Sequence, residues 1–180
     1  MIEVFSPISV NAREECCLSY GPLNNTKLLH TYGFVDPSNV IKHVDYWVSI
    51  PEDVKANTVK MNRIREEEAL YSYDFKGTLS TRGDGWVSQK LLGLLRIIEA
   101  TIEEEDQLAH AFEGSISGRN ELAAMSCLKN SLVILLGQMH QRREIVSRST
   151  SIKLDTILCL LDDDADVIEA VIAKLERDID

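Results

Sequence analysis

The hydrophobic positions change their spacing near residue 51. Before it they mostly alternate, and after it they mostly recur every three or four residues. Residues 44–50 carry the clearest strand pattern, with Val44, Tyr46, Val48 and Ile50 on one face, and Pro51 ends it. Residues 2–10 alternate loosely through Ile2, Val4, Phe5, Ile8 and Val10. Pro7 breaks them, which predicts a strand start, a kink and a short continuation. Residues 16–20 predict a second short strand, stopped by Gly21 and Pro22. Asn24 and Asn25 then offer an N-cap, residues 26–32 predict a helix of about two turns, and Gly33 stands at its C′ position. On that helix Leu28, Leu29 and Tyr32 share the expected inward face.

Beyond Pro51 the pattern turns helical. Residues 52–68 carry a thin stripe of Val54, Val59, Met61 and Ile64, expected as one helix with a frayed end. Tyr71, Tyr73, Phe75 and Leu79 alternate as in a small strand or extended connection, and residues 81–85 read as a loop. Residues 86–101 predict a strong helix through Val87, Leu91, Leu94, Leu95 and Ile98. A shorter helix over 103–112 is anchored by Leu108 and Phe112, and residues 114–118 link it onward. Residues 120–147 predict one long helix with Leu122, Met125, Leu128, Leu132, Leu135, Leu136 and Met139 on one side. The last helical segment, 151–179, runs its stripe from Leu154 to Ile179, with Asp162, Asp163 and Asp164 at a break or re-capped start. Such stripes can bury one another as a bundle, whereas about three short strands cannot fold alone. The expected fold class is α+β, predominantly α: an incomplete β-rich part over 1–50 and an all-helical part over 51–180.

Composition narrows the partners. Nineteen Lys and Arg stand against 29 Asp and Glu, a formal charge of −10 over 180 residues. That argues against nucleic acid and suits a basic protein or peptide. No unbroken apolar run of about 18 residues occurs, so no membrane crossing is expected. The start has an acid at Glu3 and lacks the pattern of a secretory signal. Cys16, Cys17, Cys127 and Cys159 have no zinc-ligand spacing, and read as reduced thiols of an intracellular protein with no metal. His30, His43, His110 and His140 are isolated and read as surface or packing residues. The acidic runs at 103–106 and 162–164 read as solubility and capping. Tyr46 and Trp47 read as half-buried strand packing.

Residues 19–35 carry the chemistry. Tyr20 and Gly21 end a strand, a short helix containing Leu28 and Leu29 follows, and Tyr32, Gly33, Phe34 and Val35 close the segment. This succession resembles the C-terminal end of a SET domain of the Rubisco large-subunit lysine methyltransferase type. In that family a helical substrate-binding domain follows, and the run Leu91 to Arg96 and the helix ending near Arg143 look like its core helices. The resemblance implies a SET remnant over 1–50, a helical substrate-binding domain over 51–180, and transfer of a methyl group from S-adenosylmethionine to a lysine of a protein substrate. It makes Tyr20 the catalytic tyrosine, whose hydroxyl orients the target nitrogen, and places Tyr32, Gly33 and Phe34 against S-adenosylmethionine. The family's upstream Asn-His segment has no counterpart, for no Asn-His dipeptide occurs. Its upstream Gly-x-Gly is matched only by Gly83 and Gly85, downstream. The chain alone is therefore expected to be inactive; the alternative is a non-catalytic protein-interaction module built on the helical part.

Overall fold

The computed structural model describes residues 11, 21–67, 74–81, 85–149 and 153–180. The strands expected over 2–10 and 16–20, Tyr20, Cys16, Cys17, Tyr71, Tyr73 and Gly83 lie outside these residues. Among the described residues the chain is mostly helical with a small two-stranded sheet. In order, these are α1 (Asn25–Tyr32), β1 (His43–Ser49), α2 (Glu52–Ala56), α3 (Thr58–Glu67), β2 (Asp74–Ser80), α4 (Gln89–Glu99), a 3₁₀ helix (Ile102–His110), α5 (Gly118–Ser147) and α6 (Leu154–Ile179).

Strand β1 pairs antiparallel with β2, from His43 opposite Ser80 to Ser49 opposite Asp74. Period-two alternation decides the faces: Phe75 and Leu79 are buried, with Val44, Tyr46 and Val48 half-buried beside them. The segment beyond residue 51 is thus not all helical, because β2 supplies the partner that β1 requires for its backbone groups. Residues 52–67 form two helices instead of one. Asn57 turns extended between them, at φ −85° and ψ 108°, and its side-chain oxygen takes the Lys60 amide at 3.0 Å.

Helix α4 organises the interior because it is apolar almost all round. Leu94 and Ile97 join a core with Ile50, Val54, Met61, Ile64, Phe75, Leu108 and Phe112. Leu91 and Leu95 join a second core with Leu79, Leu128, Leu132, Val167, Ile168 and Val171. Three buried polar groups brace the helices around these cores. Lys60 donates to the Ile98 and Ala100 carbonyls at 3.0 and 2.7 Å, placing a cation at the C-terminus of α4. Arg96 grips Glu121 through two nitrogens, at 2.7 and 2.9 Å. Glu104 accepts from Arg119, from Ser117 and, capping its own helix, from the Thr101 amide, and these bonds, Arg119's first, hold its carboxyl down at about 2.

Helix α5 is long and apolar enough, by length and composition, to cross a membrane. Its apolar run is nonetheless broken, by Ser126, Lys129, Asn130 and Ser131. Here Leu128, Leu132 and Met139 are buried in the second core, whereas Val133, Ile134 and Ile145 are exposed. Leu122, expected on the inward stripe, is exposed too, and Ala124 takes the buried position. Helix α6 passes through Asp162, Asp163 and Asp164 without a break.

Candidate functional site

Helix α1 is set by its two ends. The Asn24 side chain accepts the Lys27 amide at 3.0 Å, as an N-cap does. At the other end Gly33 is left-handed, with φ 80°, and its amide closes on the Leu29 carbonyl at 2.9 Å. A side chain at that φ is strained, so glycine is the residue that lets the chain leave the helix here. Tyr32 and Phe34 flank this turn with ring centroids 6.5 Å apart and planes tilted by 37°.

Both rings face outward. Tyr32 is 45% exposed and Phe34 42%, whereas Leu28 is buried and Leu29 half-buried. The expectation that Tyr32 packs inward with the two leucines is corrected. Asn25, at the start of α1, bonds to Asp163 of α6, and the buried residues of α1 are Asn25 and Leu28, whereas Tyr32 at its end is exposed. Gly33 is exposed as well, so Tyr32, Gly33 and Phe34 form one continuous edge.

Asn25 is buried at 3% exposure, and its amide group is fully used. Its nitrogen donates to the Asp36 carbonyl at 2.8 Å and to Asp163 of α6 at 2.6 Å. Its oxygen accepts from the Asp36 amide at 2.9 Å and the Asn39 side chain at 3.3 Å. Lys42 ties the other Asp163 oxygen, at 2.9 Å, to Asp166, at 2.7 Å. Asn39 donates to the Leu23 carbonyl at 2.9 Å, and Asn24 to the His43 carbonyl at 2.8 Å. Sequence reading took Asn25 as a capping candidate and Asp163 as part of a solvated run. The one available signal was Asn25 one residue past the better cap.

A cavity of about 600 Å³ opens between α1, the sheet and α6. Its described lining includes His30, His43, Asp45, Lys76 and Asp164, so the fold brings together two histidines that sequence reading left isolated. Lys76 pairs with Asp45 at 2.7 Å. Burial, reinforced by Asp163 and Asp45, pushes the Asp164 carboxyl up to about 6. Raised in the fold above its ordinary 3.8, Asp164 contributes stability that is present in full below 3.8 and lost as the pH rises through about 6. Asp164→Asn is therefore expected to gain about 1 kcal/mol over wild type near neutral pH, discounted for partial solvent contact, and little near pH 4. Chemical denaturation across that range checks it; a pH-independent difference between the two proteins contradicts it.

The remaining candidates stand apart from this edge. Trp47 is exposed on the outer face of the sheet, with the Lys76 ammonium 5.9 Å from its ring. Tyr46 is half-buried, as expected. His110 and His140 are exposed near Glu113 and Glu169, at 3.2 and 3.7 Å. Burial pushes the free Cys127 thiol up to about 11, which leaves it a packing residue and no nucleophile. Among the described residues no group of His, Cys, Asp and Glu is placed to hold a metal ion. Tyr20 lies outside the described residues.

No family model matches this chain, and no curated protein matches it. Solved structures do. The structure of Rubisco LSMT bound to AdoMet matches 96% of this chain and 43% of its own, at 18% identity and a TM-score of 0.72. Rubisco LSMT bound to sinefungin and monomethyllysine matches the same shares, at 18% identity and a TM-score of 0.69. The SET domain of LSMT bound to methyllysine and AdoHcy matches 96% and 42%, at 18% identity and a TM-score of 0.69. The chain spans less than half the length of these solved chains. Its fold is SET-methyltransferase-like.

Proposed function

We propose that this chain is the C-terminal portion of an S-adenosylmethionine-dependent protein-lysine N-methyltransferase. Residues 1–50 end its SET domain and residues 51–180 form its substrate-binding domain. The observation that carries the proposal is the edge made by Tyr32, Gly33 and Phe34, two exposed aromatic rings beside a left-handed glycine, in a chain whose fold matches LSMT over 96% of its length.

The residues present fit the cofactor in kind. Aromatic faces attract a cationic sulfonium and stack against an adenine, and a bare glycine between them lets a ligand approach the backbone. When bound, S-adenosylmethionine supplies a methyl group activated by its positive sulfur. Tyr32, Gly33 and Phe34 would hold one side of it. The Tyr20 hydroxyl would orient the neutral lysine nitrogen toward the methyl carbon, a contribution of positioning and electrostatics. Held so, the nitrogen's lone pair would face the methyl group that the bound cofactor would supply, with Tyr20 setting its direction. The family's Asn-His segment, which holds the cofactor from the other side, has no match in this sequence.

Titration calorimetry with S-adenosylmethionine tests this reading, on this chain and on a longer form that carries upstream sequence. The longer form is expected to bind, and Tyr32→Ala with Phe34→Ala to weaken binding by about tenfold or more. No binding by the longer form would sink the enzyme reading. A second reading, a non-catalytic protein-interaction module, is favoured by the exposed Val133, Ile134 and Ile145 on α5. It expects no cofactor binding by either form.

A further inference from the structure

We infer that Asn25 is the positioning residue of the Tyr32, Gly33 and Phe34 edge, and that Asp163 passes control of that edge to helix α6. The inference rests on the reading of this edge as the cofactor side of the site.

The geometry starts from valence. A side-chain amide has two N–H donors and two acceptor sites, and Asn25 fills all four with Asp36, Asp163 and Asn39, the Cys159 sulfur also lying 3.9 Å from its nitrogen. Two bonds go to the amide and the carbonyl of one residue, Asp36. Asn25 opens α1, and Asp36 follows the edge by two residues. The pair of bonds therefore closes the chain from 25 to 36 into a ring, with residues 32–34 inside it. Within the ring α1 is rigid, and the Gly33 amide is fixed on Leu29. Rotation of the edge then requires breaking the Asn25 clamp.

The clamp is itself anchored. Asp163 holds the Asn25 nitrogen with one carboxylate oxygen and Lys42 with the other. Asp163 sits on α6 one turn before Val167 and Ile168, both buried in the second core. A shift of α6 by a fraction of an ångström is felt at Asn25, because a charge-assisted bond in a buried site tolerates little stretching. Helix α6 packs on α5, so an event on the helical body has a physical route to the edge.

Substituting the isostere gives a sharp test. In Asn25→Asp one oxygen keeps the Asp36 amide. The other replaces the donor nitrogen and faces the Asp36 carbonyl and the Asp163 carboxylate at the distances of the former hydrogen bonds. Asp163→Asn, added to it, restores a donor to that oxygen while its own oxygen stays with Lys42. Amide hydrogen exchange, read by nuclear magnetic resonance on the whole 180-residue chain, reports the clamp directly. Asn25→Asp is expected to speed exchange at Asp36 and Gly33 by about tenfold or more, with amides of α4 unchanged, and the double variant to recover part of it. Asp163→Leu, which leaves Asn25 in place, is expected to give the same local signature, and serves alone where Asn25→Asp fails to fold. S-adenosylhomocysteine is titrated in parallel into the longer form that carries upstream sequence, and the shifts of the Tyr32 and Phe34 ring signals are expected to need about tenfold more ligand in both single variants of that form.

Exchange at Asp36 and Gly33 equal to wild type in folded Asp163→Leu overturns the inference. So does a loss spread evenly over the whole chain. Absence of any ring shift in the unsubstituted longer form counts against the cofactor reading alone, because the exchange data still decide the clamp.

Discussion

Replacing Arg96 with methionine is expected to lower stability by about 3 kcal/mol, the largest loss of any single polar substitution proposed for this chain. Arg96 is 4% exposed in the last turn of α4. It holds both Glu121 oxygens, and a third nitrogen donates to the Ala111 carbonyl at 2.9 Å. One guanidinium thus joins α4, the end of the 3₁₀ helix and the first turn of α5. Methionine fills much of the volume but leaves the Glu121 carboxylate, mostly withdrawn from water, without its partner. The penalty comes from that stranded charge and not from the net worth of the pair, since replacing both ions often costs little. Urea denaturation separates the two. Arg96→Met with Glu121→Leu is expected to regain most of the loss, and a double variant as unstable as the single one contradicts the account.

Gly93→Ala is expected to be destabilising by about 2 kcal/mol, although helix propensity alone favours alanine by about 1 kcal/mol. A Cβ at Gly93 would meet the Phe112 ring, with Cγ and Cε1 each at 2.8 Å, well inside contact distance. The ring has no room to retreat. It stacks on Phe75 at a centroid distance of 6.3 Å, and the Arg63 guanidinium lies 5.1 Å from its centroid. Sterics therefore outweigh propensity. Gly137→Ala on α5 is the control: nothing lies within 4 Å of its added methyl, so propensity acts alone and stability rises by about 1 kcal/mol. Thermal denaturation of the two variants is expected to move in opposite directions. Movement in the same direction shows that the Phe112 contact does not limit the site.

These two variants act on the cores that carry α4, whereas the Asn25 and Asp163 variants act on the edge. The distinction makes the edge testable without unfolding the chain. Asp164 lines the cavity beside the start of α1, and a second small cavity together with Asp163. Substitutions there are expected to change pH behaviour more than overall stability.

Local pattern determined the elements. Helix α1 lies between Asn24 and Gly33 because capping and the left-handed exit depend on residues three or four apart, and that spacing is written in the sequence. The alternation of Val44, Tyr46 and Val48 placed β1, and the stripes placed α4, α5 and α6, for the same reason: each period is a property of neighbouring residues. Residues 19–35 were legible as a motif because their order along the chain is itself the signal. Tertiary structure decided what the polar residues do. Asn25 meets Asp163 across 138 positions and Lys60 meets Ala100 across 40, and no periodicity encodes a partner so far away. It decided that β1 pairs with β2 from beyond residue 51, and that Asp163 of the acidic run on α6 holds the buried Asn25. It also decided that Tyr32 turns outward while Asn25 and Leu28 of the same helix are buried. Spacing tells a residue which face it shares; only packing tells it what that face meets.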